Sequence, residues 1–436
     1  MQAIWITLFF LICLYGCVRP MVALALLLYL FPIEQILQSM APALGSTPLG
    51  GQLVNYVVGL VVCAAAIRTA FTKFQPLVGL FNGVLITVLL LYGWSIVTLL
   101  WSPGRMDGLA VVGTRWPYLV VMILGSYLIN DLNDLVSFAK TALLIGLTVC
   151  VVLLSSGDFE SKFGRLGIVV AGKLESNPLA LGELGGIVLL TGALLRDSSF
   201  GRWNVLLRLL AVGTGAAIAL RSGARGQLLF SVGIALVAVP LAAPMRSWKA
   251  FFSTVLIVGV VIAMALALSS TLLEGFAAKR FSVDEMLYGS SSTSERVQNV
   301  TTLMSHWLSS PFAVLVGLGY YAFSSYGMGI DYSHVVAADA LFELGIPGAA
   351  GYIAVLVMTF RNCKRLMRAG IDTGYYRAAV ALCIGILGFY YLLSNKQGEL
   401  WGCTTLFMLM CIVARLVSRI DAGMAGSLDT KDASQY

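Results

Sequence analysis

The chain has 436 residues, of which 59% are hydrophobic and 11% are charged, and its formal net charge is +7. A soluble globular domain has about a quarter of its residues charged, so this composition excludes an ordinary soluble protein. Crossing a bilayer takes about 20 apolar residues per helix, which predicts an all-α polytopic membrane protein with about 12 transmembrane helices in one domain, 1–436. The eight cysteines form no Cys-x-x-Cys pair and indicate neither a disulfide framework nor a metal site.

Apolar runs separated by polar clusters give the candidate spans in chain order. The first 18 residues have no basic n-region and no cleavage site, so we interpret them as a retained span. The thirteen runs are 3–17, 20–37, 52–70, 82–101, 115–130, 136–155, 177–195, 204–220, 226–243, 249–269, 346–361, 376–394 and 400–418.

The basic residues predict the orientation of these spans. Seventeen of the 28 Lys and Arg fall in loops on one side, which we assign to the cytoplasm by the positive-inside rule. No basic run or RNA-binding motif accompanies the excess charge, so we expect no nucleic-acid partner. The outer basic residues indicate an anionic ligand or, alternatively, anchors that reach lipid phosphates. They are Arg105, Arg115, Lys162, Arg165, Lys173, Arg221, Arg225, Lys279, Arg280, Arg296 and Lys396.

Arg221-Ser-Gly-Ala-Arg225-Gly226 separates two apolar runs with almost no room for a loop. Two guanidiniums at an outer turn suit the binding of phosphate, because arginine offers fixed bidentate donors and glycine allows close backbone approach. The alternative is a tight turn whose arginines reach the interface.

The one long hydrophilic stretch, 270–345, is predicted to lie on the outer, periplasmic side and to contain interfacial helices. Ser292 and Glu295 form a capping box, and apolar residues then recur at helical spacing until Pro311 ends the run. A segment rich in glycine and aromatic residues follows and leads to His334, and it suits a surface that receives a sugar or a lipid-linked head group.

Four polar candidates for chemistry remain. His334 stands before an apolar segment and can take a proton from a hydroxyl nucleophile, although a histidine with a purely structural role is the alternative. His306 has no acidic or cysteine neighbour in the sequence and is interpreted as a packed or interfacial residue. Asp158 and Glu160 have the spacing of a metal-binding acidic pair, but Lys162 lies beside them, so we predict no metal site.

Taken together, these segments resemble the O-antigen ligase and O-antigen polymerase superfamily, bacterial enzymes that move glycans carried on undecaprenyl diphosphate. The resemblance covers about 130 residues and rests on four motifs in order. They are Arg221-Ser-Gly-Ala-Arg225-Gly226; Ser294-x-Arg296 with a helix to Trp307; Ser310-Pro311 leading to Gly317-x-Gly319-x-x-x-Phe323; and His334 followed by Leu341-Phe-Glu343-Leu-Gly345-Ile-Pro-Gly348.

The resemblance implies a GT-C-like, metal-independent glycosyltransferase of the inner membrane that acts on the periplasmic face without a cofactor. It implies that Arg221 and Arg225 hold the donor diphosphate and that Arg296 holds the diphosphate or the donor sugar. Arg280 is a second candidate for substrate binding, and His334 activates or orients the acceptor hydroxyl. His334, Arg221 and Arg296 are thus the expected catalytic residues.

Within the superfamily, the ligase that joins O-antigen to lipid A-core is the first expectation. Its partners would be an undecaprenyl-diphosphate-linked glycan as donor, lipid A-core as acceptor, and membrane lipid. A polymerase that extends the glycan on its own carrier is the second expectation, and a protein O-oligosaccharyltransferase is the third. A polytopic transporter or flippase of anionic lipid is the alternative from a different functional class, because basic outer pockets also serve binding without chemistry.

Overall fold

The computed structural model is almost entirely helical. The residues it describes are 2–40, 50–72, 79–155, 159–162, 165–170, 173–174, 178–195, 200–243, 252, 259, 291–326, 332–373 and 375–423. The first ten helices are α1 (Gln2–Val18), α2 (Pro20–Leu28), α3 (Leu30–Met40), α4 (Gly50–Thr72), α5 (Gly83–Thr98), α6 (Arg105–Leu128), α7 (Leu132–Ser155), α8 (Pro178–Leu194), α9 (Trp203–Arg221) and α10 (Arg225–Ala242). The next five are α11 (Ser291–Trp307), α12 (Pro311–Val316), α13 (Gly345–Thr373), α14 (Arg377–Gln397) and α15 (Thr404–Asp421).

The apolar composition of these helices confirms the expectation of an α-helical membrane protein. Among the described residues, six helices are long and apolar enough to cross a membrane, or seven if the bent pair α2 and α3 is one span. The six are Leu53–Thr72, Arg105–Leu128, Leu132–Ser155, Trp203–Arg221, Arg225–Ala242 and Arg377–Gln397. All but two positions of the predicted run 249–269 lie outside the described residues. The total of about 12 spans stays a prediction.

The predicted run 20–37 is not one straight helix, because α2 and α3 meet at an angle of 74°. The break is at Tyr29, whose φ of −106° and ψ of 21° lie outside the helical region. The Tyr29 side chain is fully buried, and its hydroxyl donates a hydrogen bond to the Ala142 carbonyl of α7 at 3.0 Å. The break cannot be predicted from hydropathy, because Tyr29 lies within a continuous run of apolar residues and its partner, the Ala142 carbonyl, is distant in sequence.

A small antiparallel β-meander lies in the predicted loop between α7 and α8. Strand β1 (Phe159–Lys162) pairs with β2 (Arg165–Val170), which pairs with β3 (Lys173–Leu174). In this register Phe159 lies opposite Ile168. Strands of four, six and two residues are too short to show an alternating pattern, so the sequence predicted only a loop here.

The chain divides into two compact units. The first unit contains the described residues within 1–74, 132–288 and 367–389. The second unit contains those within 75–131, 289–366 and 390–436. Each unit draws on three separate stretches of the chain, so neither corresponds to a continuous segment of sequence.

In the first unit, α8 and α9 pack closely through glycines. A Cβ atom built on Gly185 would lie 2.5 Å from the carbonyl oxygen of Gly215, and one built on Gly215 would lie 2.6 Å from the carbonyl oxygen of Gly185. A Cβ atom on Gly192 would lie 2.9 Å from the carbonyl oxygen of Arg208. Small residues let helix backbones approach each other where lipid is the solvent. This packing supports α9 along its length, up to the turn that follows it.

In the second unit, Trp401 lies at the centre of a buried aromatic group. Its indole N–H donates to the Ser95 hydroxyl of α5 at 2.9 Å. Its ring meets the Tyr92 ring edge to face, with centroids 4.8 Å apart, and Tyr92 in turn meets Phe407 of α15 at 5.7 Å. These contacts join α5 and α15 within this unit.

Arginines cap the C-terminal ends of several helices. Arg208 donates to two carbonyls at the end of α8, both at 2.9 Å, and Arg377 donates to two at the end of α10, at 2.7 and 3.1 Å. In the second unit, the buried Arg415 donates to the Tyr127 carbonyl at the end of α6. A cation at this end satisfies unpaired carbonyls and opposes the negative end of the helix dipole. These arginines therefore stabilise helix ends, in addition to contributing to the predicted orientation of the protein in the membrane.

Candidate functional site

Arg221 and Arg225 lie at the two sides of one turn in the first unit. Arg221 is the last residue of α9 and Arg225 is the first residue of α10, and both are half-buried. Only Ser222, Gly223 and Ala224 connect the two helices, which confirms the tight turn predicted from the sequence. The backbone thus holds two guanidinium-bearing residues at one end of a helical hairpin, an arrangement suited to an anion with several oxygens.

The connecting turn is held by Ser222 and packs against α8. The Ser222 hydroxyl donates to the Ala219 carbonyl at 2.8 Å and accepts from the Ala224 N–H at 3.3 Å. Gly223 has a φ of 65°, a left-handed conformation that glycine adopts without strain. A Cβ atom on Gly182 of α8 would lie 2.4 Å from the Cβ of Ala224. Close packing therefore fixes the backbone that carries the two arginines.

In the second unit, α11 carries Arg296 and packs on an apolar cluster. The core of this cluster is Leu303, Phe323, Ala338 and Phe342. The helix over Ser291–Trp307 confirms that this segment is helical, but Ser292, the predicted N-cap residue, lies inside it. Trp307 packs against the cluster, whereas Val297, Met304 and Leu308 of the same predicted apolar face are exposed. The described backbone places Arg296 in the first half of α11, and its side chain lies outside the description.

Pro311 begins a helix and does not end one. The sequence predicted that the amphipathic helix continues to this proline, but α11 ends at Trp307 and α12 starts at Pro311. Ser310 caps α12, and its hydroxyl accepts from the Ala313 N–H at 3.1 Å. Proline is favourable at the first helical position, because it has no N–H to satisfy and its φ already suits a helix.

The segment after α12 runs beside the end of α5 and needs its glycines for that approach. Gly317 and Gly319 have φ values of 90° and 98°. The Trp101 indole donates to the Gly317 carbonyl at 3.1 Å, and the Thr98 hydroxyl accepts from the N–H of the residue after Gly319 at 3.0 Å. A Cβ atom on Gly319 would lie 2.5 Å from the Cα of Ser102. Larger residues at these positions are therefore excluded by the neighbouring backbone.

The Glu343 carboxylate holds the next part of this segment. Glu343 is 3% exposed, and its Oε2 and Oε1 accept from the N–H groups of Tyr321 and Phe323 at 3.0 and 3.1 Å. Tyr321 has a φ of 63°, which is unusual for a residue with a side chain. The carboxylate thus supplies hydrogen-bond acceptors to N–H groups at the start of the short 3-10 helix Ala322–Tyr326.

His334 lies in a turn held by Ser333. The Ser333 hydroxyl accepts from the Val335 N–H at 3.1 Å and donates to Oδ1 of Asp339 at 2.5 Å. Between Ser333 and Val335, His334 has a φ of 67°, again in the left-handed region. Its half-buried ring meets the Tyr332 ring at 4.4 Å and an angle of 69°. His334 therefore has a strained backbone conformation, held by Ser333, and its ring contacts the Tyr332 ring.

Asp339 and Glu343 are the first and last residues of one π-helical turn, Asp339–Glu343. Burial raises the pKa of Glu343 to about 7, against the opposing effect of the N–H groups that it accepts from. Burial and then the Glu343 carboxylate raise the pKa of Asp339 well above its usual range. Both Glu343 oxygens accept backbone hydrogen bonds, which favour the charged form of Glu343, whereas Asp339 accepts one hydrogen bond, from the Ser333 hydroxyl.

A third buried acidic side chain, Glu399, forms an ion pair with Arg115 of α6. Arg115 is one of the basic residues that the sequence offered for an anionic ligand, and the structure shows it paired with a carboxylate of the protein itself. Burial raises the pKa of the neighbouring Tyr320 well above its usual range; Glu399 adds to this effect and Arg115 opposes it. This charged group belongs to the second unit, as does His334.

The predicted site residues fall into two sets. Arg221 and Arg225 share one turn of the first unit. Arg296 and His334 belong to the second unit, where α11 and the helical turn after His334 contribute to the same apolar cluster. Arg280 lies outside the described residues.

Ser333, Asp339 and Glu343 are part of the site region, and sequence reasoning gave them no role. The signal was present, because two acids four residues apart interrupt an otherwise apolar stretch directly after His334. Buried carboxylates are costly without partners, so such a pair indicates a polar network inside the fold. The hydrogen-bond partners of Asp339 and Glu343 lie in turns where Tyr321 and His334 have positive φ values. Sequence predicts a positive φ for glycine and asparagine, but not for tyrosine or histidine.

The acidic pair considered for a metal is only partly described. Asp158 lies outside the described residues, and Glu160 lies in β1 with its side chain outside the description. Within the described ranges, no three His, Cys, Asp or Glu side chains are grouped so that they could hold a metal ion. Independence from metal stays a prediction.

The sequence was compared with known proteins. It matches no protein-family model and no curated protein. The functional assignment therefore rests on the residues of the two units.

Proposed function

We propose that the protein is a metal-independent glycosyltransferase of the bacterial inner membrane with a GT-C-like arrangement of about 12 spans. It transfers an O-antigen glycan from undecaprenyl diphosphate to a sugar hydroxyl of lipid A-core on the periplasmic face. The observation that carries the proposal is the rigid turn that holds Arg221 and Arg225 at one end of the hairpin of α9 and α10. The motif resemblance to the O-antigen ligase superfamily supports the same assignment.

The donor diphosphate is assigned to the arginine turn. A diphosphate presents several oxygens in a small volume, and two guanidiniums can each bind two of them with parallel hydrogen bonds. The turn is held by Ser222 and by close contact with Gly182, so the arginine backbones lose little freedom on binding. Arg296 on α11, with Arg280 as a weaker candidate, contributes to the diphosphate or to the donor sugar.

The chemical step is a displacement at the anomeric carbon of the donor sugar. The acceptor hydroxyl oxygen forms the new bond to this carbon, and the bond from the carbon to the diphosphate oxygen breaks with its electron pair. The hydroxyl proton passes to the His334 imidazole and then to solvent. Arginines that stabilise the departing negative charge, together with positioning of the two substrates, account for most of the rate.

Purified protein in lipid nanodiscs, with carrier-linked glycan and lipid A-core as the only substrates, tests the function. We expect glycan on lipid A-core with wild type and none with His334→Ala, while His306→Ala, a change of the other histidine, keeps full transfer. Glycan that lengthens on its carrier would instead identify a polymerase. Binding of the carrier lipid without any transfer under these conditions would reject the ligase assignment.

Binding of undecaprenyl diphosphate to the same variants tests the assignment of the arginines. Arg221→Ala, Arg225→Ala and Arg296→Ala should each weaken binding by about 10- to 100-fold, the effect of losing one charge-assisted hydrogen bond. His334→Ala should leave this binding nearly unchanged. Arg202→Ala is the matched control, because Arg202 is exposed beside Trp203 in the same unit. Unchanged binding in all three variants would move the diphosphate site elsewhere, first toward Arg280.

A further inference from the structure

Among the described residues, Tyr321 and His334 are the two with a side chain and a positive φ, and each is held by a buried polar side chain. Left-handed backbone is strained for a residue with a Cβ atom and persists only where the surroundings hold it. Ser333 is fully buried and Asp339 is 3% exposed, so this holding pair is shielded from water. The proposed chemistry gives His334 a role and gives none to Ser333 and Asp339.

We propose that Ser333 and Asp339 are positioning residues for His334, which hold its backbone in the left-handed conformation and so set the direction from which the imidazole meets the acceptor hydroxyl. This inference rests on the function proposed above. It adds two residues that touch neither substrate.

The first step of the argument is the geometry of the Ser333 hydroxyl. It accepts from the Val335 N–H at 3.1 Å, and this bond closes the turn across His334. Of the two acceptors within reach of its one hydrogen, Oδ1 of Asp339 at 2.5 Å is much nearer than the Val335 carbonyl oxygen at 3.2 Å. Asp339 therefore fixes the rotation of the hydroxyl, and the hydroxyl fixes the backbone on both sides of the histidine.

The second step is the anchoring of Asp339. It begins the π-helical turn that ends at Glu343, and Glu343 is tied to the N–H groups of Tyr321 and Phe323. Phe342 within this turn packs in the apolar cluster and meets the Trp307 ring at 5.4 Å. Single π-helical turns are common at functional sites. Here the carboxyl group of Asp339 bonds the turn that contains His334, and the carboxyl group of Glu343 bonds the turn that contains Tyr321.

The third step concerns what each carboxyl must supply. Asp339 supplies Oδ1 as the acceptor for the Ser333 hydroxyl, and an asparagine offers the same acceptor oxygen. Burial, together with the Glu343 and Glu399 carboxyl groups, raises the pKa of Asp339, which favours a neutral group at this position. Glu343 uses both oxygens as acceptors, and a glutamine can replace only one of them.

Two amide substitutions of the same kind should therefore have opposite outcomes. In the nanodisc transfer assay, Asp339→Asn should keep kcat within about threefold of wild type, because the acceptor oxygen remains. Ser333→Ala, Asp339→Leu and Glu343→Gln should each lower kcat by about 100-fold with little change in carrier-lipid binding, the effect of misplacing a catalytic group. Ser305→Ala is the matched control, because Ser305 is exposed and bonds only within α11.

A second measurement does not depend on transfer. The chain has two histidines, so His306→Gln leaves His334 as the sole imidazole when the protein carries a tag without histidine. We expect diethyl pyrocarbonate to modify His334 about fivefold faster after Ser333→Ala or Asp339→Leu, as its turn opens, and at the wild-type rate after Asp339→Asn. Mass spectrometry of the modified peptide gives these rates.

The two measurements separate the failure of this inference from the failure of the proposed function. If no transfer occurs but the modification rates follow the expected order, the positioning pair stands and the ligase assignment falls. If transfer occurs and Asp339→Asn abolishes it, Asp339 acts through its charge and the inference is overturned. Unchanged transfer and unchanged modification in Ser333→Ala and Asp339→Leu would overturn it as well.

Discussion

Two turns of this protein have the same local construction and differ in their central residue. In the first unit, the Ser222 hydroxyl accepts from the N–H two residues later, and Gly223 between them has a φ of 65°. In the second unit, the Ser333 hydroxyl accepts from the N–H two residues later, and His334 between them has a φ of 67°. One turn uses a glycine where the other uses a residue with a side chain.

The choice of glycine at one turn and histidine at the other follows from where the proposed functional side chains stand in each turn. At the first turn the arginines flank the connection as helix-end residues, so the left-handed position itself can be glycine. At the second turn the proposed function places the imidazole at the left-handed position, where a residue with a Cβ atom costs about 1–2 kcal/mol. Strain retained at a residue with a proposed chemical role is an observation that favours a functional assignment.

The largest expected effect comes from giving the second turn the central residue of the first. His334→Gly should abolish transfer, a loss of at least about 1,000-fold, because the proton acceptor is removed. Stability should hold or rise by up to about 1 kcal/mol, because the backbone strain is relieved. Transfer and thermal unfolding in the same nanodiscs measure the two effects. A marked fall in unfolding temperature would show that the imidazole is a packing residue.

The reverse exchange places a Cβ atom at the first turn. Gly223→Ala should lower the free energy of unfolding by about 1–2 kcal/mol, because alanine at this φ meets the penalty that glycine avoids. Carrier-lipid binding should weaken as well, because both arginines border the altered turn. Gly213→Ala is the control, since Gly213 lies in α9 with open space around it. Equal stability of the two variants would mean that the turn does not constrain the arginines.

A smaller effect is expected from a change of cation at the first turn. Arg225→Lys should weaken binding of undecaprenyl diphosphate by about tenfold, because an ammonium is a point charge and cannot donate the two parallel bonds of a guanidinium. Titration of carrier lipid into purified variants gives the affinities, with Arg202→Lys as control. Full affinity of Arg225→Lys would indicate general electrostatic attraction in place of a bidentate contact.

The coarse fold and one of the two turns could be predicted from the sequence. Long apolar runs show helices directly, and apolar residues at helical spacing predicted the helix over Ser291–Trp307. The turn at Arg221–Arg225 was visible because polar residues and glycine interrupt an apolar pattern. The break at Tyr29 and the short strands were not visible, because neither changes the hydropathy of its segment.

The network around His334 was beyond sequence reasoning for a different reason. It depends on pairings between separate segments, such as the Glu343 carboxylate with the N–H of Tyr321, 22 positions earlier in the chain. It also depends on left-handed backbone at residues that have side chains, a conformation that sequence predicts only for glycine and asparagine. Burial of Asp339 and Glu343 could be suspected, but the partners of these two residues could not.

The smallest expected effect is a difference between the two turns in how their contribution to stability changes with pH. The Ser222 hydroxyl donates to a backbone carbonyl, which does not titrate, whereas the Ser333 hydroxyl donates to the Asp339 carboxyl. The folded-state pKa of Asp339 is raised, so the folded protein retains a proton that the unfolded chain releases above about pH 4. The resulting stability is fully present below that pH and is lost as the pH rises toward the folded-state pKa.

Asp339→Asn should therefore reduce the fall in unfolding temperature between about pH 5 and pH 8, because the amide has no proton to lose. A residual fall should remain in the variant, because the pKa of Glu343 is raised to about 7 and acts in the same direction. Ser222→Ala should lower the unfolding temperature equally at both pH values. Thermal unfolding of wild type and both variants at the two pH values measures the difference. A slope in Asp339→Asn equal to that of wild type would mean that Asp339 retains no extra proton in the folded protein, and the two turns would then not differ in their response to pH.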